Sequence, residues 1–325
     1  MGQINQKTRG TPTVTKPELV IVTPVYEDRA ASRILFRDIA NQFGAKVLVV
    51  AVDDGSVREP VELSALQDAG VAGQVLRLRR NVGHQRAIAI GLSYVSENVP
   101  GVDRVVVMDS DGEDTPESIH ALLAELEHDS VDIAVAERRS RVETLRFRAF
   151  YVVYKFVFGQ MTGRKISFGN FMAMKLQALR RLTSMEELWT HVAAAALASK
   201  VRLGRCSIDR GARYAGRSKM SFVGLVLHGF KALMVFAEDV LVRVGIMCVL
   251  VSALAILGAI LAVVLKVFGF ATPGWFSIVL GVLFLVFLQT AALTLMTLML
   301  SGVMKGGGLM GDRYRGFIDS IEFTS

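Results

Sequence analysis

Cysteine is scarce in this sequence: only Cys206 and Cys248 occur among 325 residues. One lies in a charged region and the other in an apolar run, which argues against a disulfide framework and a cysteine-rich metal site. Residues 1–16 also lack an apolar core, so they do not resemble a secretory signal peptide, and we expect a flexible leader. We therefore expect the charged part of the chain that follows to remain in the cytoplasm.

Signatures of two common functions are missing as well. No Gly-x-Gly-x-x-Gly fingerprint follows the first predicted strand, which argues against a dinucleotide-dependent dehydrogenase. Neither an aromatic-rich RNA-binding pattern nor a helix-turn-helix pattern occurs, so nucleic acid is not an expected partner. The formal net charge of +7 favours a membrane surface or a phosphorylated substrate, because basic residues are densest between Arg138 and Lys219, just before a long apolar region.

Charged residues become rare from Val242 onward. Two apolar runs, about 242–268 and 277–303, exceed the roughly 20 residues that cross a hydrocarbon core about 30 Å thick. The turn between them carries Trp275, a residue typical of membrane interfaces. The sequence therefore predicts two transmembrane helices within 241–304. Two buried core helices are the alternative, which the length of the uncharged runs disfavours.

The segments that flank this predicted hairpin contain basic residues. Residues 221–240 are amphipathic and predict an interfacial helix lying at the membrane surface, and residues 305–325 predict a cytoplasmic tail. Because short loops rich in Lys and Arg stay inside, we expect an integral protein of the cell inner membrane with both termini in the cytoplasm. Small residues of the hairpin (Gly245, Ser252 and Gly281) would allow a homo-oligomer.

Residues 17–220 alternate short apolar runs with helical patterns, which predicts a doubly wound α/β sheet. In such sheets, ligands bind at the carboxyl ends of the strands. Polar residues follow several of the predicted strands, so the sequence predicts one site, assembled from strand ends, in a catalytic domain. The predicted strands are 19–22, 47–52, 74–78, 104–108 and 131–136.

Asp109 and Asp111 follow the fourth predicted strand, with one residue between them. Two carboxylates at a strand exit can share a hard divalent cation, Mg²⁺ or Mn²⁺, that keeps open positions for diphosphate oxygens. Glu113 is a better candidate than Asp114 for completing this metal site. In an exposed loop the same Asp-x-Asp pattern is usually turn chemistry, and that alternative stays open.

A second acidic motif, Asp53-Asp54-Gly55-Ser56, follows the second predicted strand. A carboxylate at this place can accept a hydrogen bond from a base N–H or a ribose hydroxyl, and the glycine permits close backbone approach. From these residues alone, a helix N-cap followed by a turn is an equally good interpretation.

Four motifs of the chain occur in the order and spacing of the inverting family 2 glycosyltransferases, which the chain resembles over residues 17–220. The apolar runs are similar to those of the polyprenyl-phosphate branch, which includes dolichyl-phosphate mannose synthase. The resemblance implies a glycosyltransferase A-type fold that transfers a sugar with inversion from a UDP- or GDP-sugar to a membrane polyprenyl phosphate. The motifs are Thr23-Pro-Val-Tyr-Glu27, Val52-Asp-Asp-Gly-Ser56, Arg80-Asn-Val-Gly-His-Gln-Arg-Ala87 and Asp109-Ser-Asp-Gly-Glu-Asp114.

The resemblance also implies roles for individual residues. Family members usually carry Gln at position 113, so Glu113 is expected to tighten metal binding. An ordinary surface position is the alternative for Arg86, and His84 is expected to be a cap or a structural contact. The metal ligands would be Asp109, Asp111 and Glu113, and the nucleotide-sugar would contact Pro24, Tyr26, Glu27, Asp54, Arg86, Asp109, Arg213 and Ser218.

Arginines at positions 138, 139 and 141 follow the fifth predicted strand, where the family places contacts to the acceptor phosphate. A basic patch that attracts anionic lipid is the alternative. One motif departs from the family, because the usual Gly-Asp-Phe-Arg is Gly169-Asn170-Phe171-Met172 here. A phosphate acceptor is already ionised and needs no general base, so the missing carboxylate fits a polyprenyl phosphate, although a different acceptor is equally compatible.

The segment from Arg210 to Lys219 resembles the family's basic loop, which closes over the donor diphosphate. A purely structural loop is the alternative. The Gln-x-x-Arg-Trp motif of processive polysaccharide synthases is absent, since Glu186-Glu187-Leu188-Trp189 does not match it. The expected loop contacts are Arg213, Ser218 and Lys219, and the residues expected to act on the reacting groups are Asp111, Arg138, Arg139 and Lys219.

The sequence thus predicts a membrane-anchored glycosyltransferase whose partners are a nucleotide-sugar, a polyprenyl phosphate and the lipid bilayer. A family 2 enzyme that uses a different lipid or a sugar hydroxyl as acceptor is one alternative. A non-catalytic membrane adaptor is an alternative of another class, and the intact acidic motifs argue against it.

Overall fold

The computed structural model describes residues 17–138, 145–215, 222–270, 274–304 and 313–324. The chain divides into two compact units. The first unit comprises the chain up to Ala149, Ile166–Val235 and the residues from Met310 onward. The second unit comprises Phe150–Lys165 and Phe236–Leu309, so the chain leaves the first unit and later returns to it.

The first unit is built on one mixed β-sheet. Its strands, in chain order, are β1 (Leu19–Val25), β2 (Val47–Asp53), β3 (Ala72–Leu78), β4 (Arg104–Val107), β5 (Ile133–Arg138), β6 (Phe168–Lys175), β7 (Leu203–Ile208) and β8 (Ile318–Phe323). Their order in the sheet is β7-β5-β6-β4-β1-β2-β3-β8. Strand β1 runs parallel to β2 and β4, and β2 runs parallel to β3.

Helices account for much of the rest of the described chain. They are α1 (Arg29–Phe43), α2 (Leu63–Ala69), α3 (His84–Asn98), α4 (Ile119–Leu126), α5 (Leu145–Thr162), α6 (Leu176–Thr183), α7 (Val192–Ala198), α8 (Phe222–Met234), α9 (Ala237–Val267) and α10 (Trp275–Met304). Short 3₁₀ turns span Gly44–Lys46, Pro116–Ser118, Glu186–Trp189 and Arg313–Phe317.

Both faces of the sheet are covered, because every residue of β1 and β2 is buried. Alternate residues of β1 enter opposite clusters: Val20 and Val22 pack with α3, α6 and α7, whereas Leu19 and Ile21 pack with α1 and α4. Continuous apolar strands of this kind are typical of parallel sheets with helices on both faces. The predicted doubly wound α/β architecture is therefore confirmed.

Three strands were not predicted from the sequence: β6, β7 and β8. Strand β7 lies parallel to β5 at one edge of the sheet. Strand β6 lies antiparallel between β4 and β5, and β8 lies antiparallel to β3 at the sheet edge. Strand β8 belongs to the region that we expected to be a tail. Its Glu322 pairs with Arg77 of β3 at 2.6 Å, so the residues that follow the apolar helices complete the first unit.

Helices α9 and α10 of the second unit are long and apolar enough to cross a membrane. The most apolar 18-residue stretches within Ala237–Val267 and Trp275–Thr297 have mean hydropathies of 3.0 and 2.4. Only 17% of the apolar window of α9 is buried, and none of that of α10. Core helices of a soluble protein would be mostly covered, so this exposure disfavours the alternative of two buried helices.

A line of small residues joins α9 to α10. Cys248, Ala255 and Ala262 of α9 recur at seven-residue spacing and are buried. The hydroxyls of Ser252 and Thr290 are 2.5 Å apart across the two helices. A side chain at Gly245 would meet Thr297 at 3.6 Å, whereas one at Gly281 would meet nothing within 4 Å. Gly245 and Ser252, which we expected to join copies of the chain, thus lie within one hairpin.

Helix α8 is shorter than the predicted interfacial segment 221–240, since α9 has begun by Ala237. Its large apolar side chains form an exposed stripe at helical spacing, whereas Ala232 on another face is buried. The stripe comprises Val223, Leu227, Phe230 and Met234.

Candidate active site

Three loops of the first unit leave the sheet at the same edge. Val25 at the end of β1 pairs with Asp53 at the end of β2, and β4 on the other side of β1 ends at Val107. Because the three strands are parallel neighbours, the residues after them share this carboxyl edge. The residues predicted to form one site therefore start from a common rim.

Asp54 is buried and holds the start of α3. Its two carboxylate oxygens accept hydrogen bonds from the backbone N–H groups of Val82 and Gly83, at 2.7 and 3.0 Å. The next residue, His84, places Nε2 3.2 Å from Oδ1 of Asp109. Gly83, which binds Asp54, and the next residue His84, which contacts Asp109, thus connect the two aspartates. Burial raises the pKa of the Asp54 carboxyl, and the two backbone hydrogen bonds oppose that rise.

The neighbouring Asp53 has a structural environment. Its carboxylate accepts hydrogen bonds from the backbone N–H groups of Ser56 and Val61, at 3.0 and 3.1 Å. It also pairs with Arg77 at 3.0 Å, and Arg77 in turn pairs with Glu322 of β8. Asp53 therefore fixes the loop after β2 and links that loop to the C-terminal strand.

Glu27 shapes the same loop from the end of β1. Its carboxylate accepts hydrogen bonds from the backbone N–H groups of Val57, Arg58 and Glu59, at distances between 2.6 and 3.2 Å. The bonds from Val57, Glu59 and Arg58 lower the pKa of the Glu27 carboxyl. The backbone of Glu27 has a φ of +49°, an uncommon conformation for a residue other than glycine. Such strain persists where surrounding contacts fix the backbone.

The loop after β4 is tightly folded. Asp111 accepts a hydrogen bond from the backbone N–H of Glu113 at 3.0 Å, and buried Asp114 accepts one from the N–H of Asp109 at 3.1 Å. Gly112 has a φ of +90°, and a side chain there would meet the ring of Tyr214 at 2.7 Å. Only glycine fits this crossing without displacing the tyrosine.

Two arginines lie against this acidic loop. Arg213 places Nη2 2.8 Å from Oδ2 of Asp111 and 3.2 Å from Oε1 of Glu113, and Arg210 pairs with the other oxygen of Glu113. The Tyr214 backbone N–H donates to the carbonyl of Asp111 at 2.8 Å. Arg213, predicted to contact the donor diphosphate, therefore pairs here with two predicted metal ligands.

The predicted metal site can be tested by its donor set. Three carboxylates within five residues suit a hard divalent cation chemically. In the described parts of the chain, however, no three acidic, histidine or cysteine side chains converge on one point. Asp109 lies beside His84, Asp111 beside Arg213, and Glu113 beside both arginines. A cation that binds the two aspartates must displace Arg213.

The remaining predicted residues are only partly described. Pro24 pairs with Val52 within the sheet, Tyr26 is 44% exposed at the rim, and Arg86 is exposed on α3. Arg138 ends β5. The predicted residues Arg139, Arg141, Ser218 and Lys219 lie outside the described residues.

Sequence reasoning missed a line of polar side chains next to Asp109. The Val192 N–H donates to Gln85, whose amide donates to Asn170 at 3.2 Å, and Asn170 contacts Nε2 of His84 at 3.1 Å. These residues lie up to 107 positions apart, so no local pattern marks them. The one signal was the unusual Asn in Gly169-Asn170-Phe171-Met172.

Comparison with known proteins gives the following similarities. The family model described as Glycosyl transferase family 2 matches residues 20–189, just over half of the chain. The protein named uncharacterized glycosyltransferase YkoT of Bacillus subtilis (strain 168) is 23% identical over 292 residues, covering 85% of this chain and 84% of that protein. Undecaprenyl-phosphate 4-deoxy-4-formamido-L-arabinose transferase of Shewanella sediminis (strain HAW-EB3) is 25% identical over 215 residues, covering 63% and 62%.

Solved structures are also similar to this chain. A crystal structure of Mycobacterium tuberculosis glucosyl-3-phosphoglycerate synthase with Mn²⁺, UDP-glucose and phosphoglyceric acid has a TM-score of 0.49 and 15% sequence identity. The similarity covers 73% of this chain and 86% of that one.

Proposed function

The chain belongs to glycosyl transferase family 2 and is a glycosyltransferase, and from this premise we propose that it transfers a sugar with inversion from a UDP- or GDP-sugar to a membrane polyprenyl phosphate. The main support is the connection of Asp54 to Asp109 through Gly83 and His84. It brings the two acidic motifs to one rim of the parallel sheet, where such folds bind ligands.

The donor nucleotide is assigned to the rim between β1 and β2. Glu27 and Asp53 hold the loop after β2 in one conformation, and Tyr26 offers an exposed ring beside it. An aromatic ring next to a fixed backbone suits a flat base. Asp54, whose oxygens accept hydrogen bonds from Val82 and Gly83, supports this pocket, and Pro24 lies one residue before the end of β1.

The donor diphosphate is assigned to the rim beyond β4. A divalent cation, Mg²⁺ or Mn²⁺, would be held by Asp109 and Asp111 and would neutralise charge on the departing diphosphate. Arg213 lies next to these carboxylates, and Arg86 is exposed on α3. Guanidinium groups pair well with phosphate oxygens, so both suit the donor diphosphate. Ser218 and Lys219 are expected to extend the same loop.

The acceptor is assigned to the basic end of β5. Arg138 ends this strand, and Arg139 and Arg141 follow it in the sequence. The Shewanella relative is named as an undecaprenyl-phosphate transferase, which supports a polyprenyl phosphate. Asn170 stands where the family usually has a carboxylate. A phosphate oxygen is ionised at neutral pH and attacks without a general base, so Asn170 is compatible with this acceptor.

The membrane setting is assigned to α9 and α10. Both expose apolar side chains along their length, and the first unit contains residues that precede α9 and follow α10. An even number of crossings returns the chain to the side from which it left. We therefore place the catalytic unit and both termini in the cytoplasm and the hairpin in the inner membrane, with the apolar stripe of α8 on the bilayer surface.

Transfer to lipid is the direct test of this function. Membranes that contain the chain would be incubated with a panel of radiolabelled nucleotide-sugars, and the lipids extracted and treated with mild acid. We expect an acid-labile glycolipid, and a loss of at least about 100-fold in Asp111→Ala, because the variant lacks a group that stabilises the leaving diphosphate. Asp129→Ala, at an exposed aspartate away from the rim, is the matched control.

Each other outcome of this experiment has a definite meaning. An acid-stable product would show that the acceptor is a hydroxyl group and not a polyprenyl phosphate. Wild-type transfer by Asp111→Ala would contradict the assigned site. No transfer from any donor, together with no nucleotide binding, would favour the membrane adaptor.

A further inference from the structure

We infer that Glu113 holds the arginine segment, residues 209–215, on the acidic loop, residues 109–114, before the donor binds, and that it is not the third ligand of a cation. The inference rests on the proposed function, since it concerns the same donor site. It replaces the role that the family resemblance implied for Glu113.

The arrangement of Glu113 is that of a counter-charge. Its two carboxylate oxygens face two different guanidinium groups, Arg213 at 3.2 Å and Arg210 on the other oxygen. Its side chain is only 17% exposed, and those of Arg213 and Asp111 are 22% and 18% exposed. Ion pairs that are shielded from solvent to this degree are screened less by salt than surface pairs. Glu113 is therefore engaged on both oxygens by the arginine segment.

The backbone shows that the two segments are docked on each other. The Gly211 N–H donates to the carbonyl of Glu113 at 3.0 Å, and the Tyr214 N–H donates to the carbonyl of Asp111 at 2.8 Å. The Tyr214 ring crosses Gly112, and its hydroxyl donates to Asp38 of α1 at 2.5 Å. These contacts add to the ion pairs of the arginines, so Tyr214 can keep the segment beside the loop when the arginine side chains turn away.

Arg213 and a cation would compete for the same oxygen. Arg213 occupies Oδ2 of Asp111 at 2.8 Å, where a cation ligated by Asp109 and Asp111 would need access. With a cation and a diphosphate bound together, Asp111 would exchange its guanidinium partner for the cation, and Arg213 would exchange its carboxylate partner for phosphate oxygens. Asp111 and Arg213 would each have an oppositely charged partner before and after the exchange. No half-buried charge would then be left unpaired, which would be costly.

Glutamate at position 113 makes this exchange selective for a loaded donor. A neutral Gln, the residue usual in the family, could accept a hydrogen bond from an arginine but would add no charge attraction. With Glu113, a nucleotide alone would draw Arg213 away and leave Asp111 and Glu113 with less compensating charge, whereas a cation bound at the same time would compensate Asp111. Glu113 therefore disfavours occupancy of the donor site by nucleotide without a cation.

The decisive variant is Glu113→Gln, with Glu117→Gln as the matched control in an exposed position nearby. Hydrogen exchange of the full chain, without nucleotide or metal, reports on the docked amides of Gly211 and Tyr214. We expect exchange roughly threefold to tenfold faster in Glu113→Gln, as the loss of a shielded ion pair implies, and unchanged exchange in Glu117→Gln. Unchanged exchange in Glu113→Gln would overturn the inference.

Mn²⁺ affinity provides the second readout. Without nucleotide, we expect Glu113→Gln to bind Mn²⁺ about as tightly as the unsubstituted chain, because the substitution removes no cation ligand. A loss beyond about fivefold would make Glu113 a ligand and overturn the inference. Neither readout requires sugar transfer, so this inference and the proposed function can fail separately.

Discussion

Carboxylates at the rim of the sheet have two kinds of hydrogen-bonding partner. The kind of partner indicates whether a carboxylate holds a loop in place or interacts with the donor. Glu27, Asp53 and Asp54 accept hydrogen bonds mainly from backbone N–H groups of neighbouring loops, and Asp53 also pairs with an arginine of β3 within the sheet. Asp111 and Glu113 face arginines of another loop, and Asp111 also accepts a hydrogen bond from an N–H of its own loop. Backbone donors cannot leave when a ligand arrives, whereas side-chain donors can. We therefore assign the first group to holding the pocket and the second to exchange with the donor.

Glu27 offers a test of the first group. In Glu27→Gln the amide replaces one carboxylate oxygen, so a donor would face the backbone N–H groups of Arg58 and Glu59. We expect the loop to lose its fixed conformation, and the KM for the donor to rise several-fold with a smaller change in kcat. Steady-state kinetics with Glu18→Gln as an exposed control would measure this. An unchanged KM for the donor would show that Glu27 does not shape the donor pocket.

The sequence predicted the loops of the site better than the contacts within them. Acidic motifs after apolar strands indicated the rim, because parallel strands end at one edge of a sheet. The partners of those acids could not be predicted, since Arg213 meets Asp111 across about a hundred positions and His84 meets Asn170 across 86. For Glu113 the family resemblance implied a metal ligand, whereas the structure pairs it with two arginines.

Among the elements, α8 is attached to the rest of the first unit by an unusual contact. Nδ1 of His191 accepts a hydrogen bond from the N–H of Ala194 at the start of α7. A neutral His191 must then carry its proton on Nε2, which lies 3.0 Å from Nε2 of His228 on α8. His191 therefore donates to a neutral His228, and α8 docks through this hydrogen bond.

This contact predicts a pH dependence of α8. Burial, with a smaller contribution from His228, lowers the pKa of His191 to about 3. Burial also lowers the pKa of His228, and the charges of His84 and Lys231 lower it further, whereas the charge of Asp109 opposes the shift. Below pH 6.5, the ordinary pKa of a histidine, the docked form therefore binds fewer protons than the undocked form. By linkage, docking is fully stable above that pH and weakens as the pH falls.

Hydrogen exchange of the α8 amides would measure the effect. After correction for intrinsic rates, we expect protection to decrease between about pH 7.5 and about pH 5.5, at up to roughly 1 kcal/mol per pH unit for each histidine. His191→Asn keeps a side chain that can cap α7 but cannot titrate, so protection should be lower and should fall less steeply with decreasing pH, through His228 alone. If the protection of the α8 amides in the unsubstituted chain did not change with pH, this result would contradict the contact between His191 and His228.

One element that sequence reasoning could not predict is β8. Residues 318–323 are too short and too polar to be distinguished from a tail, and their partners in β3 lie at least 240 positions earlier. The strand is specified by tertiary contacts: Glu322 with Arg77, and Tyr314 with Glu97 at 2.7 Å. By contrast, β1 and β2 were predicted because their continuous apolar runs are a local signal.

At the scale of the whole molecule, the glycosyltransferase A-type α/β fold implied by the resemblance is confirmed, and a pair of apolar helices interrupts it. Because β8 closes the sheet after α10, the chain between Val235 and Met310 must start and finish at the same unit. This connectivity supports a hairpin in the membrane over a single crossing.

Cysteine labelling tests that topology. With Cys206 and Cys248 replaced by serine, Phe270→Cys lies in the exposed turn after α9 and Asp319→Cys on β8. We expect a membrane-impermeant maleimide applied to intact cells with an opened outer membrane to label Phe270→Cys alone. Asp319→Cys should react only after the inner membrane is opened. Labelling of both cysteines under the first condition, or of neither, would contradict the hairpin.

We propose that the acidic rim binds a nucleoside diphosphate through a divalent cation. The most direct measurement is calorimetric titration of the purified full chain with UDP and with GDP, each with and without Mn²⁺. We expect Mn²⁺-dependent binding of one nucleotide, weakened by about tenfold or more in Asp111→Asn and unchanged in Asp129→Asn. Binding of neither nucleotide, or equal Mn²⁺-dependent binding by Asp111→Asn, would contradict it.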